Sequence, residues 1–220
     1  MTTILVIVAL ALQGSPPVAD ARGIAAQVNR LSVRGDARLS AAQLEGWYAA
    51  TGRTARLTNS LTVGDLARLY VQEGNAEHIR GDVAFAQAIL ETGYFTFPNG
   101  GQARPADNNF AGLGACDACP AAARIPTAQA GVRAQIQLLR SYADNGGRAT
   151  SLTNAPSPSP SGSDTIPTAS AVDRVGGAGP VKIWKNLGDG RWASAAKYGA
   201  TIVAIYHSML SFAATNRPGT

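Results

Sequence analysis

Apolar positions along this chain recur mostly at three- and four-residue spacing, the period of helices that pack through one face, and no convincing pair of alternating strands interrupts them. Ser40 heads a helix that carries Ala42, Leu44, Trp47 and Tyr48 and is stopped by Gly52. Thr62-Val63-Gly64-Asp65 has capping-box spacing, with Asp in place of the usual Glu or Gln, and opens a helix bearing Leu66, Leu69 and Tyr70. Gln129 to Tyr142 aligns Val132, Ile136, Leu139 and Tyr142 and is closed by Asn145-Gly146-Gly147. A last helix, capped by Ser194 and running to about Phe212, aligns Tyr198, Ile202, Ile205, Tyr206 and Met209.

One further helix has a different character. Between Gly81 and Gly93 the apolar residues Val83, Phe85, Ala86, Ala88, Ile89 and Leu90 cover nearly the whole circumference, which predicts burial on all sides. Asp82 is expected to cap its start, and Gly93 suits a left-handed residue at its end. Glu91 stands in the last turn, where the helix dipole opposes ionisation, and Tyr94, Phe95 and Phe97 follow at once. Dipole and desolvation both push its pKa upward, toward what a general acid near neutrality needs. A buried glutamate satisfied by an arginine or by backbone is the alternative.

The segments between and before the helices divide the chain. Ile4 to Leu12 is an apolar run too short to span a bilayer, followed by Gly14, Pro16, Pro17 and the small-residue pattern Ala19-Asp20-Ala21. Residues 1–21 are therefore expected to be a signal peptide, which makes the protein secreted or cell-wall associated with no membrane segment after cleavage. No Lys or Arg precedes the run, a departure from the usual pattern. Residues 22–61 are taken as a leader and helix, with Ile24 to Leu39 loose, and 62–212 as the main domain with a Pro/Ser-rich flexible loop at 154–163. A net charge of +5, from 19 basic and 14 acidic residues, draws the protein toward polyanions. The chain has no nucleic-acid motif and no block of Lys and Arg, so an anionic cell-wall polymer fits better than nucleic acid.

Two loops carry candidate chemistry. Asp107-Asn108-Asn109-Phe110-Ala111-Gly112-Leu113-Gly114 sets adjacent amides before an aromatic and spaced glycines; these amides can bond sugar hydroxyls or the loop's own backbone. Cys116 and Cys119, the only cysteines, have half the spacing of a zinc site, but His78 and His207 belong to no ligand-spaced pair. In an exported chain a local disulfide is favoured. His78 reads as a surface or locally bonded histidine.

The order of these pieces resembles the glucosaminidase family of peptidoglycan hydrolases. Ala86-Gln87-Ala88-Ile89-Leu90-Glu91-Thr92-Gly93-Tyr94 is similar to its helix ending in a general-acid glutamate, Asn108-Asn109-Phe110-Ala111-Gly112-Leu113 to its cleft-lining motif, and Trp192-Ala193-Ser194 with Tyr198 to its late motif. The resemblance implies a mainly α, lysozyme-like helical domain with a reduced β-hairpin lobe, and cleavage of a β-1,4 bond after N-acetylglucosamine in peptidoglycan. It implies Glu91 as general acid and Tyr198, facing it, as the residue that orients the acetamido group or helps stabilise the developing positive charge, with Asn108, Asn109, Phe110, Tyr94 and Trp192 along the substrate. No metal or organic cofactor is implied, and a monomer is expected. A lytic transglycosylase or muramidase on the same fold, or an inactive cell-wall-binding module, remains open. Ser194-Ala195-Ala196-Lys197 lacks the Asp and Pro of the late motif. The lobe region, Gly114 to Thr127, offers only Asp117 as a second acid, with Asp107 just before it. Without such a base, the substrate's own N-acetyl group is left to attack the anomeric carbon.

Overall fold

The computed structural model describes residues 30–115, 122–144, 152–155, 180–188 and 190–216. Five α-helices stand among them: α1 (Ala41–Ala50), α2 (Val63–Glu77), α3 (Gly81–Glu91), α4 (Ala128–Ala143) and α5 (Tyr198–Thr215), with 3₁₀ turns at Pro105–Asp107 and Trp184–Leu187. Extended pairing among the described residues amounts to two isolated antiparallel bridges, Ser32 with Ile183 and Arg34 with Ile79. The protein is mainly α, as a lysozyme-like helical domain requires.

Caps set three of the helix starts. Ser40 and Gln43 close a reciprocal capping box on α1, Thr62 and Asp65 do the same on α2, and the Thr127 hydroxyl accepts from Ala130 N–H on α4. The two other caps differ from expectation. Helix α5 begins at Tyr198 after Lys197, with no side-chain cap, so Ser194 lies outside it. Helix α3 begins after Arg80, also without a side-chain cap. Asp82 is buried in its first turn, where its Oδ1 accepts from the adjacent Val83 N–H at 3.0 Å while its other bonds leave the helix.

Asp82 instead fastens the preceding segment. Its Oδ2 accepts from the Arg38 and Leu39 backbone N–H groups at 2.8 and 3.2 Å, and from the Tyr206 hydroxyl of α5 at 2.9 Å. The Arg80 guanidinium, 4% exposed, closes the pair with bonds of 3.2 Å to both carboxylate oxygens. Residues 30–39 are consequently not loose, and residues 24–29 of the expected leader lie outside the described residues. Val33 donates to Lys182 O at 3.0 Å, Arg80 N–H donates to Val33 O at 3.1 Å, and Trp184 N–H donates to Leu31 O at 2.9 Å. Leu31, Val33 and Leu39 are buried in the same core as the helices, so that core runs unbroken across residues 61 and 62.

Helix α2 packs against α1, α3 and α4, and α3 is also covered by α5. Where α2 crosses α3 the backbones touch. A Cβ on Gly81 would sit 2.0 Å from Tyr70 O, and one on Gly74 would sit 2.6 Å from Gly81 Cα. Close approach on this side lets α3 sink until every residue from Gly81 to Ile89 is buried. Beyond it, Phe85 meets Tyr70 and Phe95 edge-on at 5.6 and 5.5 Å, and Phe95 meets Phe110 at 6.3 Å.

Two more buried acids on α2 tie down the far side. Glu73 accepts from Arg133 and Gln129 of α4, and from the Asn154 amide at 2.8 Å. Glu77 bonds Arg140 and accepts the Thr153 and Asn154 backbone N–H groups. The start of the predicted flexible loop is therefore anchored; residues 156–163 lie outside the described residues.

Two outcomes follow. Asp82→Ala leaves Arg80 buried without its carboxylate and takes the acceptor from three backbone N–H groups, so urea denaturation should show a loss of about 3–5 kcal/mol; a loss below ~1 kcal/mol would contradict the role given to Asp82. Burial alone would raise the pKa values of Glu73 and Glu77, but their hydrogen bonds and arginine partners together hold both below the ordinary 4.5. A carboxyl lowered on folding stabilises the folded state above its unfolded pKa and stops doing so as pH falls through the folded one. Melting temperature should thus drop below pH 4.5, and less steeply in a Glu73→Gln, Glu77→Gln double variant; equal slopes would refute this.

Candidate active site

Helix α3 delivers Glu91 as its last residue, and the chain turns sharply after it. Thr92 bonds back through its hydroxyl to Ala88 O at 2.7 Å and accepts from Phe95 N–H at 2.9 Å. Gly93 takes φ +58°, the left-handed conformation expected of it, and Tyr94 (φ 62°), Phe95 (φ 54°) and Phe97 (φ 47°) adopt it too. Left-handed backbone costs a side-chain-bearing residue roughly 1–2 kcal/mol. Burial of all three aromatic rings compensates, together with the Tyr48 hydroxyl, which donates to Tyr94 O at 2.8 Å.

The Glu91 carboxyl is held by neutral donors. Oε1 accepts the Tyr198 hydroxyl and, at 3.1 Å, the Trp192 indole N–H. Tyr198 opens α5 and is 3% exposed; Trp192 is 2% exposed and packs on Tyr142 at 5.8 Å. The helix start that carries Tyr198 is pressed onto the Trp184–Leu187 turn, where a Cβ on Gly199 would lie 2.3 Å from Trp184 O. No cation and no second carboxylate bonds Glu91 among the described residues. Desolvation therefore dominates and raises its pKa from 4.5 to about 7, with the bonds from Tyr198 and Trp192 pulling the other way. Oε1 has both lone pairs engaged, which leaves Oε2 to carry the proton of the neutral acid.

The structure brings the other sequence candidates to varied places. Asn108 is left-handed at φ 50° and donates to Ile125 O at 3.0 Å. Asn109, 0% exposed, donates to Leu113 O and Ala123 O and accepts from Ala111 and Leu113 N–H, so its amide is spent on the loop. Phe110 lies in the core against Phe95. Asp107 caps its own turn by accepting from Arg104 N–H at 2.8 Å. Tyr94 is stacked on Trp47 at 6.1 Å with the Arg53 guanidinium 4.2 Å over its ring. Asp117, Cys116 and Cys119 lie outside the described residues. His78 caps α2 in a left-handed conformation, with Nδ1 3.2 Å from Asp36. Among the described residues no three His, Cys, Asp or Glu side chains cluster at metal-binding range.

Residues 67–211 match the family model Glucosaminidase, described as mannosyl-glycoprotein endo-beta-N-acetylglucosaminidase. The chain belongs to the glucosaminidase family. A curated protein of Borreliella burgdorferi, itself described only as uncharacterized, is 32% identical over 81 residues. That match spans 37% of this chain and 39% of the relative, well under two thirds of its length. No solved structure matches the chain.

Around Glu91 in this member of the glucosaminidase family the fold places residues that periodicity did not single out. Gln87 stands one turn before Glu91 and donates to the Tyr198 hydroxyl at 2.8 Å. Gln135 of α4 and Tyr70 of α2 continue the same line of bonds. Their signal in the sequence was Gln87, a polar residue in the apolar run between Asp82 and Glu91.

The raised pKa has a stability signature. A carboxyl raised on folding favours the folded state fully below its unfolded pKa and loses that contribution as pH climbs through the folded one. The melting-temperature advantage of Glu91→Gln over the natural protein should therefore widen between pH 4.5 and pH 7. A pH-independent difference would mean that Glu91 titrates normally.

Proposed function

We propose that the protein hydrolyses the β-1,4 glycosidic bond after N-acetylglucosamine in peptidoglycan, with Glu91 as general acid. The observation that carries this is a carboxyl raised to about 7 whose Oε1 is engaged by Tyr198 and Trp192, in a chain of the glucosaminidase family. Such an acid is still partly protonated near neutrality, and its free oxygen can hand the proton to the leaving glycosidic oxygen.

Positive charge then develops at the anomeric carbon. With only neutral donors recorded on Glu91, the proposed nucleophile is the carbonyl oxygen of the substrate's own acetamido group. It bonds the anomeric carbon as the glycosidic bond breaks, and water opens the resulting ring while returning a proton to Glu91. Tyr198 and Trp192 stabilise the carboxylate left behind, an interaction stronger after proton transfer than before it. The partner is a glycan strand, the protein acts as a monomer, and its place is outside the membrane or on the wall, in keeping with the apolar run at residues 4–12.

Glu91→Gln keeps the shape and removes the transferable proton. Release of soluble fragments from purified peptidoglycan should fall by ~10²-fold or more, the range general acids contribute, with unchanged circular dichroism. Full activity in this variant would overturn the assignment. Mass spectrometry of the products from the natural protein should find reducing N-acetylglucosamine ends. A 1,6-anhydromuramic end would indicate a lytic transglycosylase, a reducing muramic end a muramidase, and no fragments from wall-bound protein a binding module.

A further inference from the structure

Glu91 is the terminus of a longer line of hydrogen bonds through the core. The Tyr70 hydroxyl bonds Gln135 Oε1. Gln135 Nε2 bonds both Ala84 O, at 3.1 Å, and Gln87 Oε1, at 2.9 Å. Gln87 Nε2 bonds the Tyr198 hydroxyl at 2.8 Å, and that hydroxyl bonds Glu91. Gln87, Gln135, Tyr70 and Tyr198 are each at most 3% exposed.

The direction of every bond in this line follows from one atom. Ala84 O is a backbone carbonyl and can only accept, so the Gln135 atom beside it must be the nitrogen. The Gln135 oxygen then faces the Tyr70 hydroxyl, which donates to it. The second Gln135 N–H is left for Gln87, whose facing atom must be its oxygen. The Gln87 nitrogen consequently points at Tyr198 and fills an acceptor position on the phenol oxygen. With that position filled, the single Tyr198 proton is directed to Glu91.

We propose that Gln87 and Gln135 are positioning residues that hold Tyr198 as a one-way donor to Glu91, so that the acid's own proton stays on Oε2 and is delivered to substrate rather than shared with the tyrosine. The inference rests on the general-acid reading of Glu91. Without the amide, the phenol oxygen opens as an acceptor, and Tyr198 can turn its proton elsewhere. The neutral acid then has an internal partner for its proton, and the carboxylate loses part of its stabilisation. The cost of these buried amides in an apolar core is met only while the line is complete.

The titratable and charged groups around the line are Tyr70 on α2, Tyr142 on α4, Arg191 beside Trp192, and Tyr198. Burial raises Tyr142 to about 12 and the other two phenols well above 10, so of the three phenols and Glu91 only Glu91 changes charge between pH 4 and pH 9. Its titration therefore reports on the relay directly.

The test is a double-mutant cycle of Gln87→Met and Tyr198→Phe, with Gln135→Met as a second relay variant should the first fail to fold. Two readouts are followed: kcat and KM on peptidoglycan fragments against pH, and the Glu91 carboxyl titration by ¹³C NMR. Gln87→Met should lower kcat roughly tenfold, a part of the 10²–10⁴-fold that general acids contribute, with KM little changed. The descending limb of activity and the NMR pKa should both move to higher pH. In the Tyr198→Phe background the same substitution should add nothing, because a residue acting through the phenol has no effect once the hydroxyl is gone. Independent, additive losses, or an unmoved Glu91 titration in Gln87→Met, would overturn the relay. Failure of the catalytic reading looks different: Glu91→Gln stays active while the NMR cycle still reports coupling or its absence.

Discussion

A carboxyl group taken out of water needs compensation, and this protein uses two kinds. Asp82, Glu73 and Glu77 each receive a guanidinium, from Arg80, Arg133 and Arg140. Glu91 receives two neutral donors and, among the described residues, no cation. Arginine partners and amide donors together outweigh burial at Glu73 and Glu77 and keep them ionised, whereas at Glu91 burial wins and leaves a weak acid. The same core thus sets three carboxylates against arginines and one against neutral donors, and the choice of partner separates them.

The rest of the fold serves that separation. The backbone contact at Gly74 and Gly81 sinks α3 into apolar surroundings as far as Ile89, two residues before Glu91. The Asp82 pair fastens the N-terminal segment and Tyr206 at the opposite end of the helix, well away from the acid. The close fit of Gly199 on the Trp184–Leu187 turn fixes where α5 begins, and that start carries Tyr198 to Glu91. Helix α4 contributes from the side through Gln135, which reads the orientation of a backbone carbonyl and passes it to Gln87.

Much of this was legible in the sequence where local chemistry decides. The caps at Ser40, Thr62 and Asp65, the left-handed Gly93 and the all-round apolar helix around Glu91 depend on neighbours within a turn, and they stand as expected. What local pattern could not convey were long-range partners. Asp82 looked like a cap because capping is its commonest use, yet its bonds reach residues more than forty positions away. Residues 31–35 show no helical period because they are held by backbone bonds to two distant stretches, at 78–80 and 182–184, which leave no mark on side-chain spacing. Asn108 and Asn109 fitted sugar binding and loop bonding equally well, and their amides go to the loop. Gln87 and Gln135 gain meaning only beside each other.

If one neutral-donor-bound acid and the substrate's acetamide run the reaction, the sugar is attacked twice at the anomeric carbon, first by the acetamide and then by water. The anomeric configuration of the first-formed product, followed by ¹H NMR before mutarotation, tests this most directly. Retention of the β configuration is the expected result. Inversion would contradict it, because a single displacement by water needs a second carboxylate roughly 6.5–9.5 Å from Glu91 to activate that water.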